Sequence, residues 1–171
     1  MGRQSIREHK TIYQILREEA GMTREKAGDL MEGVSAARIE KIEYEQQEAE
    51  PYDVVQMAEC YGRPELCNYY CSHSCEIGRR YIPEIKVSEL SDIILETIAS
   101  LNEINPMTNR LIQIGRDGEV SDSEIRDFAL ISKKLDEVSQ AADALKLWVD
   151  RMAAEKKINM ELLTREKQKL Q

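Results

Sequence analysis

One seam narrows the possible fold more than any other feature. Phe128, Ile131, Leu135, Val138, Ala142, Leu145, Val149 and Met152 recur at alternating steps of three and four, with no proline or glycine between them. That period marks one face of an α-helix; a strand would alternate every second residue. Val87, Leu90, Ile94, Thr97, Leu101 and Ile104 repeat the step earlier in the chain, and Asn105-Pro106 ends that run. Asn109 to Ile114 reads as a short helical turn, and Ser121 with Glu124 as a capping box that opens the long helix. Two such helices pack as an antiparallel hairpin, or the seam zips against a second copy as a coiled coil. No stretch carries strand-like alternation, so an all-α protein is expected.

The first half reads as shorter helices. Ile12, Ile15 and Leu16 give a helix over Thr11 to Ala20, ended by Gly21. Thr23 caps Arg24 to Met31, and Ser35 caps Ala36 to Tyr44. Pro51 opens a fourth helix through Val54, Val55, Met57 and Ala58, closed by Gly62, and Pro64 opens a fifth. Arg79-Arg80-Tyr81-Ile82-Pro83 reads as a linker, so the expected domains are 1–80 and 81–171. Four of the seven tyrosines, Tyr52, Tyr61, Tyr69 and Tyr70, fall near the end of the first domain, which marks its best-packed region.

All four cysteines lie in the same place: Cys60, Cys67, Cys71 and Cys75, with His73 among them. Thiols at this spacing, in a chain whose polar N-terminus is no signal peptide, point first to a metal or cluster site. The competing reading is small buried or redox-active thiols on one helix face. Cys67, Cys71 and Cys75 would form one stripe on an unbroken helix, with its ends about 12 Å apart. One zinc, about 2.3 Å from each sulfur, cannot span that. Either the helix breaks near Ser72–Ser74, or the bridged group is larger, as an iron–sulfur cluster is. Zinc and iron–sulfur both stay open. Such a site would staple the end of the first domain beside the linker.

Charge and composition limit the function. The chain carries 32 acidic and 24 basic residues, a net charge of -8, which works against unspecific binding to phosphate backbones but leaves room for one local DNA-contacting face. No apolar run reaches membrane-spanning length, so no membrane partner and a cytoplasmic location are expected. His9 and His73 are the only histidines, and neither a nucleophile triad nor a phosphate-cradling glycine loop is present, so no enzymatic activity is expected. Asp117-Gly118 with Glu124 imitates the end of a calcium loop, but the earlier ligand positions fall on Gln113 and Gly115, and the capping box accounts for the same residues. Lys156 to Gln171 reads as a solvated, fraying helix end.

Two helices joined by a tight glycine-bearing turn describe a helix-turn-helix. The stretch LREEAGMTREKAGDLMEGVSAARIEKIE resembles the lambda-repressor/Cro-type (XRE) family, through Leu16-Arg17, Gly21-Met22-Thr23, Val34-Ser35, Ile39 and Ile42-Glu43. The likeness covers about Thr11 to Tyr61. LCNYYCSHSCEIG resembles a cysteine-bearing branch of such regulators. The resemblance implies a five-helix N-terminal domain whose helix Ala36 to Tyr44 enters the major groove, with DNA contacts at Arg24, Ala36, Ala37, Arg38 and Lys41. It also implies that Arg17 and Glu43 tie the first helix to the recognition helix. Three features depart from the family. Gly28 replaces the usual alanine, the turn over Met31 to Ser35 is one residue longer, and Met1–Glu50 holds eight basic residues against eleven acidic ones.

Two functions follow as expectations. One is a DNA-binding transcription regulator with a four-cysteine metal or iron–sulfur site, dimerising through its helical half. The other is a protein-interaction module with a degenerate helix-turn-helix and no DNA binding.

Overall fold

The computed structural model describes residues 9–170. The first eight residues and Gln171, which belong to the expected domain ranges, lie outside them. Every regular element among the described residues is helical, and no strand occurs among them. The order is α1 Ile12–Glu19, α2 Arg24–Leu30, α3 Ala36–Glu43, α4 Pro51–Tyr61, α5 Glu65–His73, α6 Gly78–Tyr81, α7 Leu90–Ile104, a 3-10 turn Asn105–Met107, α8 Thr108–Ile114, α9 Ile125–Ala154 and α10 Met160–Gln168. The chain divides into two compact units, residues up to Glu84 together with those from Val149, and Ile85–Trp148. The unit boundary therefore falls within α9, and the terminal run expected to close the second half groups with the first unit.

In the first unit, local chemistry sets the helix starts. The side chains of Thr11, Thr23 and Ser35 accept from the backbone N–H groups of Gln14, Lys26 and Arg38, satisfying donors that a helix start leaves unpaired. Helix α4 opens with Pro51 at its first turn and a capping box between Glu50 and Asp53. Leu16, Ala27, Met31, Val34, Ile39, Ile42, Val54, Met57, Ala58, Tyr61 and Leu66 form one buried cluster drawn from α1 to α5 and the α2–α3 turn. Near the end of the unit, Arg63 lies 3.6 Å from Glu19 and 3.4 Å from Glu155, and Arg151 lies 3.9 Å from Glu65.

Gly28 has a structural reason. A Cβ there would sit 2.6 Å from the backbone N of Ala36, so α2 crosses the start of α3 at a separation only glycine permits. In the sequence Gly28 stood only as a departure from the family's usual alanine. The tertiary structure uses it to seat the two helices against each other.

Two tyrosines of this core titrate late. Burial, with the neighbouring Tyr69 and Tyr70 adding and Ser74 opposing, pushes Tyr13 up to about 12, and burial drives Tyr61 upward as well. An ordinary tyrosine titrates near about 10. The fold therefore favours the neutral phenols, and the unfolded chain ionises first. This contribution to stability is whole below about pH 10 and is lost as pH rises through the folded value. The melting temperature is expected to fall across that interval, with the last tyrosinate absorbance appearing only as the helical signal collapses. Complete tyrosine ionisation near pH 10 with helicity intact would contradict the burial described.

In the second unit, α7 and α9 run antiparallel. Ile93 packs with Ala144 in a cluster joined by Ile85, Leu147 and Trp148, while Glu103 at the other end of α7 pairs with Lys134. The capping box is present: the Ser121 backbone N–H and hydroxyl both donate to Glu124. The seam differs from the expected one. Ile131 is buried and Val138 half-buried, but the neighbouring inward positions are Lys134, Ala141 and Trp148, while Leu135 and Ala142 face solvent. The spacing defines two adjacent columns one residue apart. Periodicity favoured the column with more apolar residues. Packing selected the one where small Ala141 and Ala144 let α7 approach, where Trp148 fills the end, and where Lys134 reaches Glu103.

Candidate functional site

The candidate nucleic-acid face is built on α3. Ile39 and Ile42 anchor its inner side in the core, and Glu43, fully buried, ends it. Glu43 is the hub. Arg17 donates to both carboxylate oxygens, Nε at 2.6 Å and Nη2 at 2.9 Å, and Arg24 Nε adds a third bond at 2.7 Å. Arg17 Nη1 also donates to the Met22 carbonyl at 2.6 Å. Desolvation works against the Arg17 charge, but Glu43 more than offsets it, so the guanidinium pKa is raised. This ion pair ties α1 and the start of α2 to the end of α3.

The five expected DNA contacts fall into two groups. Ala37 and Lys41 are exposed on α3, and Ala36 is half-buried. Arg24 is drawn inward: besides Glu43 it lies 3.4 Å from Glu40, and its guanidinium sits 4.7 Å from the Tyr44 ring centroid. Arg38 makes a two-pronged pair with Asp53, Nε to Oδ1 at 3.2 Å and Nη2 to Oδ2 at 2.6 Å, and lies 3.4 Å from Glu50. Asp53 also accepts from the Glu50 backbone N–H at 2.8 Å, so one carboxylate caps α4 and holds Arg38. Asp53 and Glu50 were missing from the expected site. The signal for them was the capping-box pattern before α4, whose second carboxylate lies within an arginine's reach of α3.

The cysteines do not gather as their spacing suggested. Cys60 on α4 donates its thiol to the Met22 Sδ at 3.7 Å and leans on the core, as does Cys67 on α5. Burial pushes both thiols up, with neighbouring Cys71 adding to the effect at Cys67. Helix α5 ends at His73, within the stretch where a break was one of the two alternatives, so Cys75 leaves the stripe; its Sγ accepts from the Gly78 N–H at 3.4 Å. Among the described residues no three His, Cys, Asp or Glu side chains are grouped to hold a metal ion. As arranged, Cys60, Cys67, Cys71 and Cys75 do not form a ready four-sulfur zinc site.

A further feature of this unit escaped the sequence. A polar cleft of about 680 Å³ lies between the start of α1, the residues after α3 and the end of α5, with Tyr13, Glu48, Tyr70, His73 and Arg79 in its lining. His73 stacks on Tyr69 with ring centroids 4.1 Å apart and lies 3.6 Å from Glu84. No linear motif announces it, because its walls come from segments far apart in the chain.

No helix among the described residues is long and apolar enough to cross a membrane. No protein-family model matches the chain, and no curated protein or solved structure matches it either.

Proposed function

We propose that the first unit is a helix-turn-helix module that reads DNA through α3, in a transcription regulator of the lambda-repressor/Cro kind. The observation that carries this is the Arg17–Glu43 pair, which holds α3 by its buried end and leaves Ala37 and Lys41 on its outer side, with half-buried Ala36 at its edge. Small residues at the start of α3 let the helix lie deep in a major groove, where an alanine meets a thymine methyl and a lysine meets guanine acceptors. Fold likeness alone does not establish function, so the reading rests on that face.

A second reading has its own support. Arg24 and Arg38 are occupied by Glu43, Glu40, Asp53 and Glu50, and the face around them is acidic. A module so neutralised would dock a protein and ignore DNA.

Selection from a random DNA library at low salt, followed by a salt titration of the enriched sequence, separates the two. The DNA reading expects an enriched sequence whose affinity falls steeply with salt. Lys41→Ala should then lose about 1–3 kcal/mol of discrimination. Arg38→Ala should do less to sequence preference, since that side chain is already spent on Asp53. Absence of any enriched sequence would leave the interaction module as the function.

A further inference from the structure

We infer that the second unit binds a second copy of this chain through one largely apolar face shared by α7 and α9, so that two hairpins form a four-helix bundle. Helix α7 has two apolar sides. Ile93 faces α9, while Ile94, Ile98 and Leu101, at steps of four and three, form another stripe along one flank. Helix α9 likewise carries Phe128, Leu135 and Ala142 at steps of seven beside its inward column. At about 100° per residue, and with the helices antiparallel, both stripes fall on the same side of the hairpin. Their larger members, with Leu95 at the edge, range from 37 % exposed at Phe128 to 66 % at Leu95.

Three observations choose the occupant. The first is area: these side chains offer roughly 600 Å² of apolar surface, at the top of the range for the largest patch of an ordinary monomer and approaching the ~800 Å² per partner of a stable dimer. The second is the poverty of the unit's own core. Its buried apolar residues are Ile85, Ile93, Ile114, Ile131, Ala141 and Ala144, with Leu147 and Trp148 partly buried, a thin core for a unit that spans Ile85–Trp148. The third is charge. Asp92, Glu96 and Glu103 share the opposite flank of α7, and between Phe128 and Ala142 the flank of α9 holds Ser132 and Ser139. In a chain of net charge -8, a face whose charge is confined to the paired Lys146 and Asp143 at one end is the surface on which two copies meet with little repulsion. Small Ser132, Ser139 and Ala142 beside Phe128 and Leu135 admit close helix packing, and a two-fold axis makes such a face self-complementary.

The test is the mass of the full chain in solution without DNA, by sedimentation across a wide concentration range. The wild type should be a dimer. Ile98→Asp on α7 and Leu135→Asp on α9 should each weaken self-association on the order of a hundredfold, by placing an unpaired charge in the buried face. Both positions are exposed in the protomer, so helix content should stay unchanged in each variant. A wild type that is monomeric throughout, or a dimer that survives both substitutions, overturns the inference. Because α3 is untouched and no DNA is present, failure here is separate from failure of the DNA reading.

Discussion

Glu43→Ala is expected to cost about 3–5 kcal/mol, enough to unfold much of the first unit at room temperature. Glu43 has no exposed surface, and it is the acceptor for both Arg17 and Arg24. Removing it leaves the buried Arg17 guanidinium with one hydrogen bond, to the Met22 carbonyl, and with no carboxylate nearer than Glu18 at 4.0 Å. A charge left unpaired in the interior costs more than the pair contributed, which is why the loss exceeds that of an ordinary salt bridge. Glu43→Gln keeps the volume and one acceptor oxygen and should lose less. The double substitution Arg17→Met with Glu43→Leu, which removes both charges and fills the space, should recover most of the loss. Urea denaturation followed by helical ellipticity reads all three. Equal losses for the single alanine variant and the apolar double variant would mean that packing, and not the stranded charge, sets the effect.

Gly78→Ala is expected to detach α6 from α5. A Cβ at Gly78 would lie 2.1 Å from the Cys71 carbonyl oxygen, 2.7 Å from its carbon and 3.0 Å from its Cα, all backbone atoms that no rotamer change can move. The chain must open there, at a cost of about 3 kcal/mol or more, the upper range for overpacking. Opening also breaks the bond from the Gly78 N–H to the Cys75 Sγ. Faster reaction of Cys71 and Cys75 with a thiol reagent should therefore accompany the lower urea midpoint, while Cys60, packed near Met22, stays slow. Gly21→Ala is the control. Gly21 has a positive φ of 67° but nothing within 4 Å of its Cβ position, so its cost is the roughly 1–2 kcal/mol of a left-handed alanine. If Gly78→Ala behaves like Gly21→Ala, the close approach to Cys71 is overstated.

The cysteines and the arginines show where sequence reasoning reached its limit. Spacing placed Cys67, Cys71 and Cys75 on one stripe of an unbroken helix and left a break near Ser72–Ser74 as the alternative, and α5 ends at His73. Spacing could not say whether Cys60 on a different helix faces them. That depends on how α4 and α5 cross, and the crossing turns Cys60 toward Met22. Arg38 was a candidate base reader by position. Its partner Asp53 lies fifteen residues away on the next helix, and a competing carboxylate at that distance is invisible to a motif.

What the sequence determined by itself is what local physics controls. The all-α class follows from the three-four period, which only a helix can bury on one face. The caps at Thr11, Thr23 and Ser35 and the capping boxes at Glu50–Asp53 and Ser121–Glu124 depend on residues three apart, so they too are written locally. The tertiary structure decided what depends on contact between distant segments. It chose the Lys134–Ala141–Trp148 column over that of Leu135 and Ala142, put Gly28 to use at the α2–α3 crossing and spent Arg24 and Arg38 on carboxylates. The physical reason is the same each time. Adjacent columns of a helix differ by one residue and score almost alike in periodicity, whereas close packing and the burial of charge separate them by whole kcal/mol.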